Sequence, residues 1–327
     1  MIVAGDIGGT KTILALYRLE GEEWVCCKKS NYASAEFNSF GVLLADFLST
    51  EANIQLQSVC IGVAGPVVNG DCVTTNLPWV LKRQEIADQT GAKYVCLLND
   101  LEATAWGVLG LPEDDFIELN PAFREEKGNL AVLAAGTGLG EAMIVFSDET
   151  FHVVATEGGH TDFAPRNELE IGLLRFLMDI HPEHVSYERV VCGQGLINIY
   201  QYLKSIKYAE VDRDVEFRMQ NEDPAAVISE LGAVCGNELT AKALKMFCEI
   251  YGAEAGNLAL KCLPKGGVVL AGGIAAKNLP SMKNGDFMRG FLSKGRYKEA
   301  LENLSVTVCM NSEAALFGAL TMAKRAI

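Results

Sequence analysis

Apolar runs alternate with polar, glycine-rich turns, and this pattern predicts a mixed α/β fold for the first half of the chain. Segment 2–17, IVAGDIGGTKTILALY, is predicted to be two strands joined by a glycine turn, because an apolar run stands on each side. Continuous apolar runs are typical of buried strands, and apolar residues at helical spacing predict helices. The predicted strands are 2–5, 12–19, 22–32, 58–68 and 94–100, and the predicted helices are 35–50 and 81–91.

The second half repeats this arrangement and adds helices. Segment 129–146, NLAVLAAGTGLGEAMIVF, again places a glycine-rich turn between two apolar strands, and FHVVATEGGH follows it. The likeness of 2–17 to 129–146 suggests two similar α/β cores, the second with helical insertions. In such architectures ligands collect where strand ends from both halves face a common cleft. The other predicted elements are helices at 168–180, 193–206, 223–231 and 236–262, a strand at 266–275 and a closing helix at 311–327.

Composition narrows the class of protein. The 327 residues suffice for two domains, and the net charge of −14 disfavours nucleic acid as a partner, because phosphate neutralisation needs clustered Lys and Arg. No apolar run is long enough to predict a membrane span, and MIVAGD lacks the layout of a signal peptide. The ten cysteines include no C-x-x-C pair, so we expect buried, reduced thiols in a cytoplasmic protein rather than a zinc or redox motif.

Three glycine turns, GDIGGTKT, AAGTGLGE and LAGGIA, each follow an apolar strand. Glycine permits close backbone approach, so successive N–H groups can converge on an anion. A tight hairpin alone would explain one such turn, whereas three together indicate phosphate binding. They differ from the P-loop, since Lys11 follows Thr10 and no helical pattern comes next. They also differ from the dinucleotide fingerprint, since GTGLG leads into a strand.

Two polar residues, Asn99 and Asp100, end the predicted strand at 94–100. One interpretation is structural: either residue can cap a helix that begins near Leu101. The other is catalytic, since a carboxylate at a strand end beside a cleft can accept the proton of a hydroxyl that attacks a phosphoryl group. A neighbouring amide would orient that hydroxyl, because it both donates and accepts hydrogen bonds.

Segment 155–165, ATEGGHTDFAP, is the other dense polar cluster. Glu157 and His160 flank a Gly-Gly turn, and Asp162 follows closely. A lone histidine is usually structural, but carboxylates beside an imidazole suit a polyhydroxylated ligand, and there is no second histidine nearby for zinc. Glu188, before a Gly-x-Gly, is a further candidate, although it could equally be an ordinary solvent-facing residue.

These motifs occur in the order found in bacterial-type glucokinases, which the chain resembles from about residue 3 to 320. The motifs that carry the resemblance are GDIGGTK, CIGVAGPV, TNLPW, LLNDLEATAWG, AAGTGLGEA, TEGGHTDFAP, ERVVCGQGLINIY and LAGGI. The repressor–kinase branch is disfavoured, because no cysteine-rich zinc motif follows His160. The resemblance implies an α/β, two-domain actin-like ATPase (ribonuclease H-like) fold with an active-site cleft between the domains. It places a small domain at 1–110, completed by a C-terminal helix at about 303–327, and a large domain with helical insertions at 111–302.

The resemblance also implies roles on the sugar side. Asp100 would be the general base that deprotonates the 6-hydroxyl of glucose. Segment 75–79, TNLPW, would form part of the wall around the sugar. The residues that would contact glucose are Asn76, Asn99, Asp100, Glu157, His160 and Glu188.

On the nucleotide side, the resemblance implies that two glycine turns hold the phosphates of ATP. Asp6 would face Mg²⁺, directly or through water, since Mg²⁺ prefers a few carboxylate oxygens together with water and phosphates. Lys11 stands where relatives often carry Asn, so its contact with phosphate or with solvent stays open. The residues that would surround the phosphates and Mg²⁺ are Asp6, Gly8, Gly9, Thr10, Lys11, Gly136, Thr137 and Gly138, while Gly272 and Gly273 would border the adenine.

The implied reaction is ATP + D-glucose → ADP + glucose 6-phosphate, the entry step of glycolysis, in a cytoplasmic homodimer. A kinase for another hexose or an N-acetylhexosamine is the nearest alternative. A non-catalytic actin-like sugar sensor would need a DNA-binding segment, which the chain does not display before its first strand. An actin-like assembly or chaperone ATPase is disfavoured by the EGGH and ND segments.

Overall fold

The computed structural model describes residues 1–51, 54–74 and 76–327. The strands are β1 (Ile2–Ile7), β2 (Lys11–Glu20), β3 (Glu23–Ala33), β4 (Ser58–Val63), β5 (Val67–Val68), β6 (Asp71–Val73), β7 (Val80–Leu81), β8 (Tyr94–Asn99), β9 (Phe116–Asn120), β10 (Leu130–Ala135), β11 (Leu139–Ser147), β12 (Thr150–Thr156), β13 (Gly267–Ala271) and β14 (Val306–Cys309). The helices are α1 (Phe40–Leu48), α2 (Arg83–Thr90), α3 (Asp100–Val108), α4 (Glu168–Ile180), α5 (Gly193–Ser205), α6 (Arg213–Asn221), α7 (Pro224–Ala233), α8 (Glu238–Cys262), α9 (Gly273–Lys277), α10 (Leu279–Lys283), α11 (Asp286–Leu292), α12 (Lys298–Glu302) and α13 (Ala314–Arg325).

The chain divides into two compact units. Unit 1 comprises Met1–Asp115 and Asn311–Ile327, and unit 2 comprises Phe116–Met310. Among the helices that the structure describes, none combines the length and the apolar character that crossing a membrane requires.

The sheet of unit 1 has five strands in the order β3-β2-β1-β4-β8. Strands β1, β4 and β8 run parallel, and Ile7 pairs with Val63, which pairs with Asn99. These three strands therefore end level with one another. The glycine turn after Ile7 and the carboxylate of Asp100 consequently lie at the same edge of this sheet. A smaller antiparallel sheet, β5-β6-β7, belongs to the same unit.

Helix α3, which begins at Asp100, packs backbone to backbone on the C-terminal helix α13. A Cβ atom on Gly107 would lie 1.8 Å from the carbonyl oxygen of Ala314, and one on Gly318 would lie 1.7 Å from that of Ala103. No larger side chain fits at either glycine without separating the helices. The close contact fixes α3, and with it the position of Asp100.

The sheet of unit 2 has six strands in the order β12-β11-β10-β13-β14-β9. The long helix α8 is largely buried, and its apolar residues Phe247, Tyr251 and Leu258 belong to the core of this unit. Helices α5, α7 and α11 pack on α8. The glycine turn between β10 and β11 lies at one end of this sheet.

Two predicted elements in the last third of the chain are wrong in extent. The strand predicted at 266–275 ends at Ala271, because Gly272 has a φ of 80° and starts α9. The C-terminal helix predicted from about 303 begins at Ala314, because Val306–Cys309 instead forms β14 beside β13. The apolar run at 266–275, which suggested one long strand, therefore includes the end of β13 and the start of α9.

Two predictions in the first half need similar correction. The strand predicted at 58–68 ends at Val63, and the chain bends before β5. The helix predicted at 35–50 begins at Phe40, where the Ser39 side chain accepts a hydrogen bond from the Val42 N–H and caps it.

The expectation that the cysteines are buried is wrong for three of them. The thiols of Cys26, Cys27 and Cys235 are exposed, the first two on the edge strand β3.

Candidate active site

The first glycine turn joins β1 to β2, and hydrogen bonds from Ser34 stabilise it. The Gly8 N–H donates to the Lys11 carbonyl at 2.9 Å, so this amide is already used within the turn. The Ser34 N–H donates to the Thr10 carbonyl at 3.0 Å, and its hydroxyl donates to the Gly8 carbonyl at 3.0 Å. Ser34 thereby fixes two of the turn's carbonyl groups. The sequence analysis missed it, because its role depends on the pairing of β2 with β3.

Asp6 lies on β1 just before this turn, and its environment disfavours the negative charge. Burial, with a smaller contribution from the charge of Asp100, raises the pKa of Asp6 to about 6, although the charge of Lys11 acts in the opposite direction. Asp6, Lys11 and Asp100 therefore act on one another electrostatically within unit 1. A divalent cation would relieve the repulsion between the two carboxylates. Although the described residues hold no metal-binding group of three or more His, Cys, Asp or Glu, the Asp6 carboxylate fits Mg²⁺, which needs few protein carboxylates because it keeps several waters and phosphate oxygens as ligands.

Asn99 and Asp100 stand at the end of β8, where α3 begins. The Asn99 side-chain oxygen accepts a hydrogen bond from the Leu101 N–H at 3.0 Å, and its amide donates to the Gly65 carbonyl at 3.2 Å. The interpretation of Asn99 as a helix cap is confirmed. Asp100 also accepts a hydrogen bond from the Leu101 N–H, at 2.9 Å, and its residue remains exposed. An exposed carboxylate at this sheet edge can receive a proton from a ligand.

Asn76 is exposed and lies against the first glycine turn. A Cβ atom on Gly9 would lie 2.9 Å from the Cβ of Asn76, so only glycine allows this approach. Trp79 anchors the segment, since it is buried and its indole N–H donates to the Phe37 carbonyl at 2.9 Å. Thr75, the first residue of the segment expected to line the sugar, lies outside the described residues.

The second glycine turn, in unit 2, is held by α5. The Gly136 N–H donates to the Gly138 carbonyl at 2.8 Å, and the N–H of Gly193, the first residue of α5, donates to the Gly136 carbonyl at 3.0 Å. The turn therefore lies directly at the N-terminus of a 13-residue helix. Helix N-termini favour anions, because their N–H groups and the helix dipole carry partial positive charge.

A cavity of about 820 Å³ opens in unit 2 beside this turn. The structure brings together there three residues predicted for nucleotide binding, namely Gly136, Thr137 and Gly273. Gly138 and Gly272 are not among the described residues that line the cavity. A Cβ atom on Gly272 would lie 2.5 Å from the Ala135 carbonyl oxygen, so this glycine is required by the turn itself. The lining residues that the sequence analysis missed include Gln194, Ala225, Ser229, Lys277 and Ser281.

Three predicted sugar-binding residues occupy two adjoining turns of unit 2. Glu157 and His160 are exposed at the 3-10 turn Gly158–His160, whereas Glu188 is half-buried in the 3-10 turn Tyr187–Arg189. The Tyr187 N–H donates to the Thr161 carbonyl at 3.0 Å and joins the two turns. Glu188 accepts a hydrogen bond from the Leu139 N–H at 3.0 Å, so its carboxylate is aimed at the second glycine turn.

Asp162, which follows these residues, forms a different contact. Its carboxylate lies 2.9 Å from the His184 ring nitrogen Nε2, and both side chains are largely exposed. The geometry therefore ties Asp162 to a surface histidine.

Comparisons with known proteins agree on one family. The family model described as Glucokinase matches residues 3–326. The glucokinase of Nostoc sp. strain PCC 7120 is 39% identical over 340 residues, covering 99% of each chain. The glucokinase of Escherichia coli strain SMS-3-5 is 31% identical over 316 residues, covering 97% of this chain and 94% of its own.

Solved structures agree on the fold. The crystal structure of a glucokinase from an Antarctic psychrotroph superimposes with a TM-score of 0.86 at 28% identity, covering 99% of this chain and 98% of its own. A glucokinase from Balamuthia mandrillaris, solved in complex with glucose, gives a TM-score of 0.79 at 24% identity, covering 99% of this chain and 93% of its own. The predicted α/β fold of the actin-like ATPase superfamily is confirmed.

Proposed function

Because the chain belongs to the glucokinase family, we propose that it transfers the γ-phosphoryl group of ATP to the 6-hydroxyl of D-glucose and releases ADP and glucose 6-phosphate. The observation that carries the proposal is the position of Asp100. Its carboxylate is exposed at the sheet edge that also carries the first glycine turn, and it is electrostatically coupled to Asp6.

Asp100 is the proposed general base. It accepts the proton of the 6-hydroxyl as the oxygen attacks the γ-phosphorus, so the charge of the nucleophile never develops fully. Asn99 supports this step, because the Leu101 N–H and the Gly65 carbonyl fix its amide plane. One N–H and one lone pair of that amide remain to orient the hydroxyl.

Asp6 is the proposed ligand of Mg²⁺, directly or through a water molecule. When bound, the ion neutralises charge on the phosphates and orients them. The positive charge of Lys11 acts to lower the pKa of Asp6, and Lys11 directly follows the first glycine turn as the first residue of β2. Both observations support a position of Lys11 beside the phosphates.

The glycine turns are proposed to hold the phosphates with backbone N–H groups other than those of Gly8 and Gly136, which donate within their own turns. Such fixed donors need no reorganisation during the reaction. In unit 2, the cavity beside Gly136, Thr137 and Gly273 has the size and location for the nucleoside, and α5 presents its N-terminus there. The proposed phosphate-side residues of unit 1 are Gly8, Gly9, Thr10 and Lys11, and those of unit 2 are Gly136, Thr137 and Gly138, with Gly272 and Gly273 bordering the adenine.

Glucose is the proposed acceptor because several polar side chains can pair with its hydroxyls. The residues proposed to supply these donors and acceptors are Asn76, Asn99, Glu157, His160 and Glu188. A site built to pair each hydroxyl rejects a sugar that leaves one of its groups unpaired, by up to about 10⁴-fold.

A coupled assay of ADP release tests the proposal against a kinase for another hexose or an N-acetylhexosamine. Purified protein is assayed with glucose, mannose, fructose and N-acetylglucosamine, each with and without Mg-ATP. We expect the highest kcat/KM with glucose and no turnover without Mg-ATP. Higher kcat/KM with another sugar would overturn the substrate assignment, and glucose binding without any turnover would point to the sugar sensor.

The protein is further proposed to act as a cytoplasmic homodimer. Size-exclusion chromatography with light scattering tests the assembly, and a monomeric mass at micromolar concentration would refute it.

A further inference from the structure

Two glutamates lie buried against each other in unit 2, and the reaction proposed above uses neither. Glu141, on β11, is 1% exposed, and Glu254, on α8, is 0% exposed. Their carboxyl groups are within hydrogen-bonding reach of each other. Within residues 1–51, 54–74 and 76–327, neither Oε1 atom has a hydrogen-bond donor. Two buried carboxylates can face each other in this way only if they share a proton.

The surrounding amide shows which carboxyl group keeps the proton. Lys294 donates through Nζ to the side-chain oxygen of Asn257, which turns the amide nitrogen of Asn257 the other way. That nitrogen donates to Oε2 of Glu254 at 2.8 Å and to the Tyr187 hydroxyl at 3.0 Å. Because an accepted hydrogen bond stabilises the ionised form of a carboxyl group, Glu254 is favoured as the acceptor and Glu141 as the carrier of the shared proton. Burial raises the pKa of Glu141 to about 8, and the charge of Glu254 contributes in the same direction.

Glu141 lies directly beneath the turn that carries His160. A Cβ atom on Gly158 would lie 2.3 Å from Oε2 of Glu141, so the carboxyl group packs against the backbone of this turn. The main chain adds a second link. The Thr156 hydroxyl donates to the Glu141 carbonyl at 2.7 Å and accepts from the Gly158 N–H at 3.0 Å. A shift of Glu141 therefore moves the turn beside Glu157.

Glu254 reaches the other turn. The Asn257 amide bridges Glu254 to the hydroxyl of Tyr187, the residue before Glu188, because its nitrogen donates to both. Phe163 packs edge-on against Tyr187 with ring centroids 5.6 Å apart, which restricts the ring. The pair is thus linked to both turns that carry the proposed sugar-binding residues of unit 2, through Glu141 directly and through Glu254 by way of Asn257.

We propose that Glu141 and Glu254, sharing one proton, are positioning residues that hold the turns carrying Glu157, His160 and Glu188 and thereby set the affinity for glucose. The inference rests on the proposed function, because it assigns these turns to sugar binding. Loss of the shared proton places two negative charges in a buried space, so the pair separates and both turns move. Glucose affinity should then fall as the pH rises above neutrality. The other titratable groups that interact electrostatically with the pair are Tyr187, Tyr251, Lys261, Cys262 and Lys294.

Calorimetric titration with glucose at pH 7, 8 and 9, without nucleotide, tests the proposal on the full chain. In the wild type, we expect the glucose Kd to rise at least five-fold from pH 7 to pH 9. Glu141→Gln keeps a donor toward Glu254 but has no proton to lose. It should bind glucose like the wild type at pH 7 and change less than two-fold up to pH 9. Glu141→Ala removes the donor and should weaken glucose binding at least ten-fold at pH 7, with the KM for ATP changed less than two-fold.

Glu149→Gln is the matched control, because Glu149 follows the same strand but is exposed and pairs with Lys127 on the surface. It should follow the wild-type curve. A flat wild-type curve, or a Glu141→Gln curve that parallels it, overturns the proposal. If Glu141→Ala does not fold by circular dichroism, the Glu141→Gln profile alone decides. A wild-type protein that neither binds nor phosphorylates glucose would instead refute the proposed function.

Discussion

Glu188 accepts a hydrogen bond from the backbone N–H of Leu139 at 3.0 Å, which places its carboxylate directly beside Gly138. A Cβ atom on Gly138 would lie only 2.4 Å from Oε2 of Glu188. The atom in conflict is the end of a flexible side chain, so the fold can absorb a methyl group there by turning Glu188 away.

Gly138→Ala should therefore affect sugar binding more than stability. We expect a free energy of unfolding within about 1 kcal/mol of the wild type, together with a glucose KM raised about ten-fold, since Glu188 loses its position. Denaturant unfolding and steady-state kinetics provide the two measurements. An unchanged glucose KM would contradict the role proposed for Glu188.

Gly136→Ala probes the same turn with no structural conflict. Open space surrounds the position that a Cβ atom on Gly136 would occupy. Stability should stay within about 0.5 kcal/mol of the wild type, as for surface substitutions. The KM for ATP should rise, because the added methyl group keeps phosphate from the backbone, while the glucose Kd stays constant. An unchanged KM for ATP would remove this turn from the phosphate site.

The sequence predicted the first two glycine turns correctly, because each lies between two apolar runs. Such runs can be recognised from the local sequence without knowledge of distant contacts. The helix at 168–180 was likewise predicted with the bounds that α4 has, since Asn167 caps it. Helix α6 was missed, because most of its residues are polar and Val215 is its only buried residue within the described part of the chain. Ser34 and the cavity wall from α7 were missed for another reason. Their roles come from contacts between segments far apart in sequence, which periodicity does not report.

Asp100→Asn tests the proposed general base. The substitution keeps an oxygen that can accept from the Leu101 N–H, so α3 should remain capped. We expect kcat to fall by about 10²–10⁴-fold, with the glucose Kd changed less than three-fold, because the amide cannot take the proton. Rapid-quench or coupled assays measure kcat, and calorimetry measures the Kd.

Glu102→Gln is the control for this substitution, since Glu102 lies in the same first turn of α3 and is not among the proposed site residues. It should retain wild-type kcat. Near-normal turnover in Asp100→Asn would require another base.

Asp6→Asn should stabilise the metal-free protein above pH 6. The pKa of Asp6 in the folded protein is about 6, against an ordinary value of 3.8. Between pH 3.8 and pH 6, the folded state therefore holds a proton that the unfolded state has already lost. Stability should fall across that range as the pH rises, by up to about 1.4 kcal/mol per pH unit from this group. Asn has no such proton, so the variant should lack this part of the slope and be about 1–3 kcal/mol more stable than the wild type at pH 7.

Urea unfolding from pH 4 to pH 8, without divalent cations, measures the difference between the two proteins. Adding Mg²⁺ with ATP should then stabilise the wild type and leave Asp6→Asn little changed, because the variant has lost the carboxylate that faces the ion. Parallel pH slopes in the two proteins would show that Asp6 ionises freely in the fold. Equal stabilisation of both by Mg-ATP would remove Asp6 from the metal site, so the two halves of the experiment test the electrostatics and the ligand role independently.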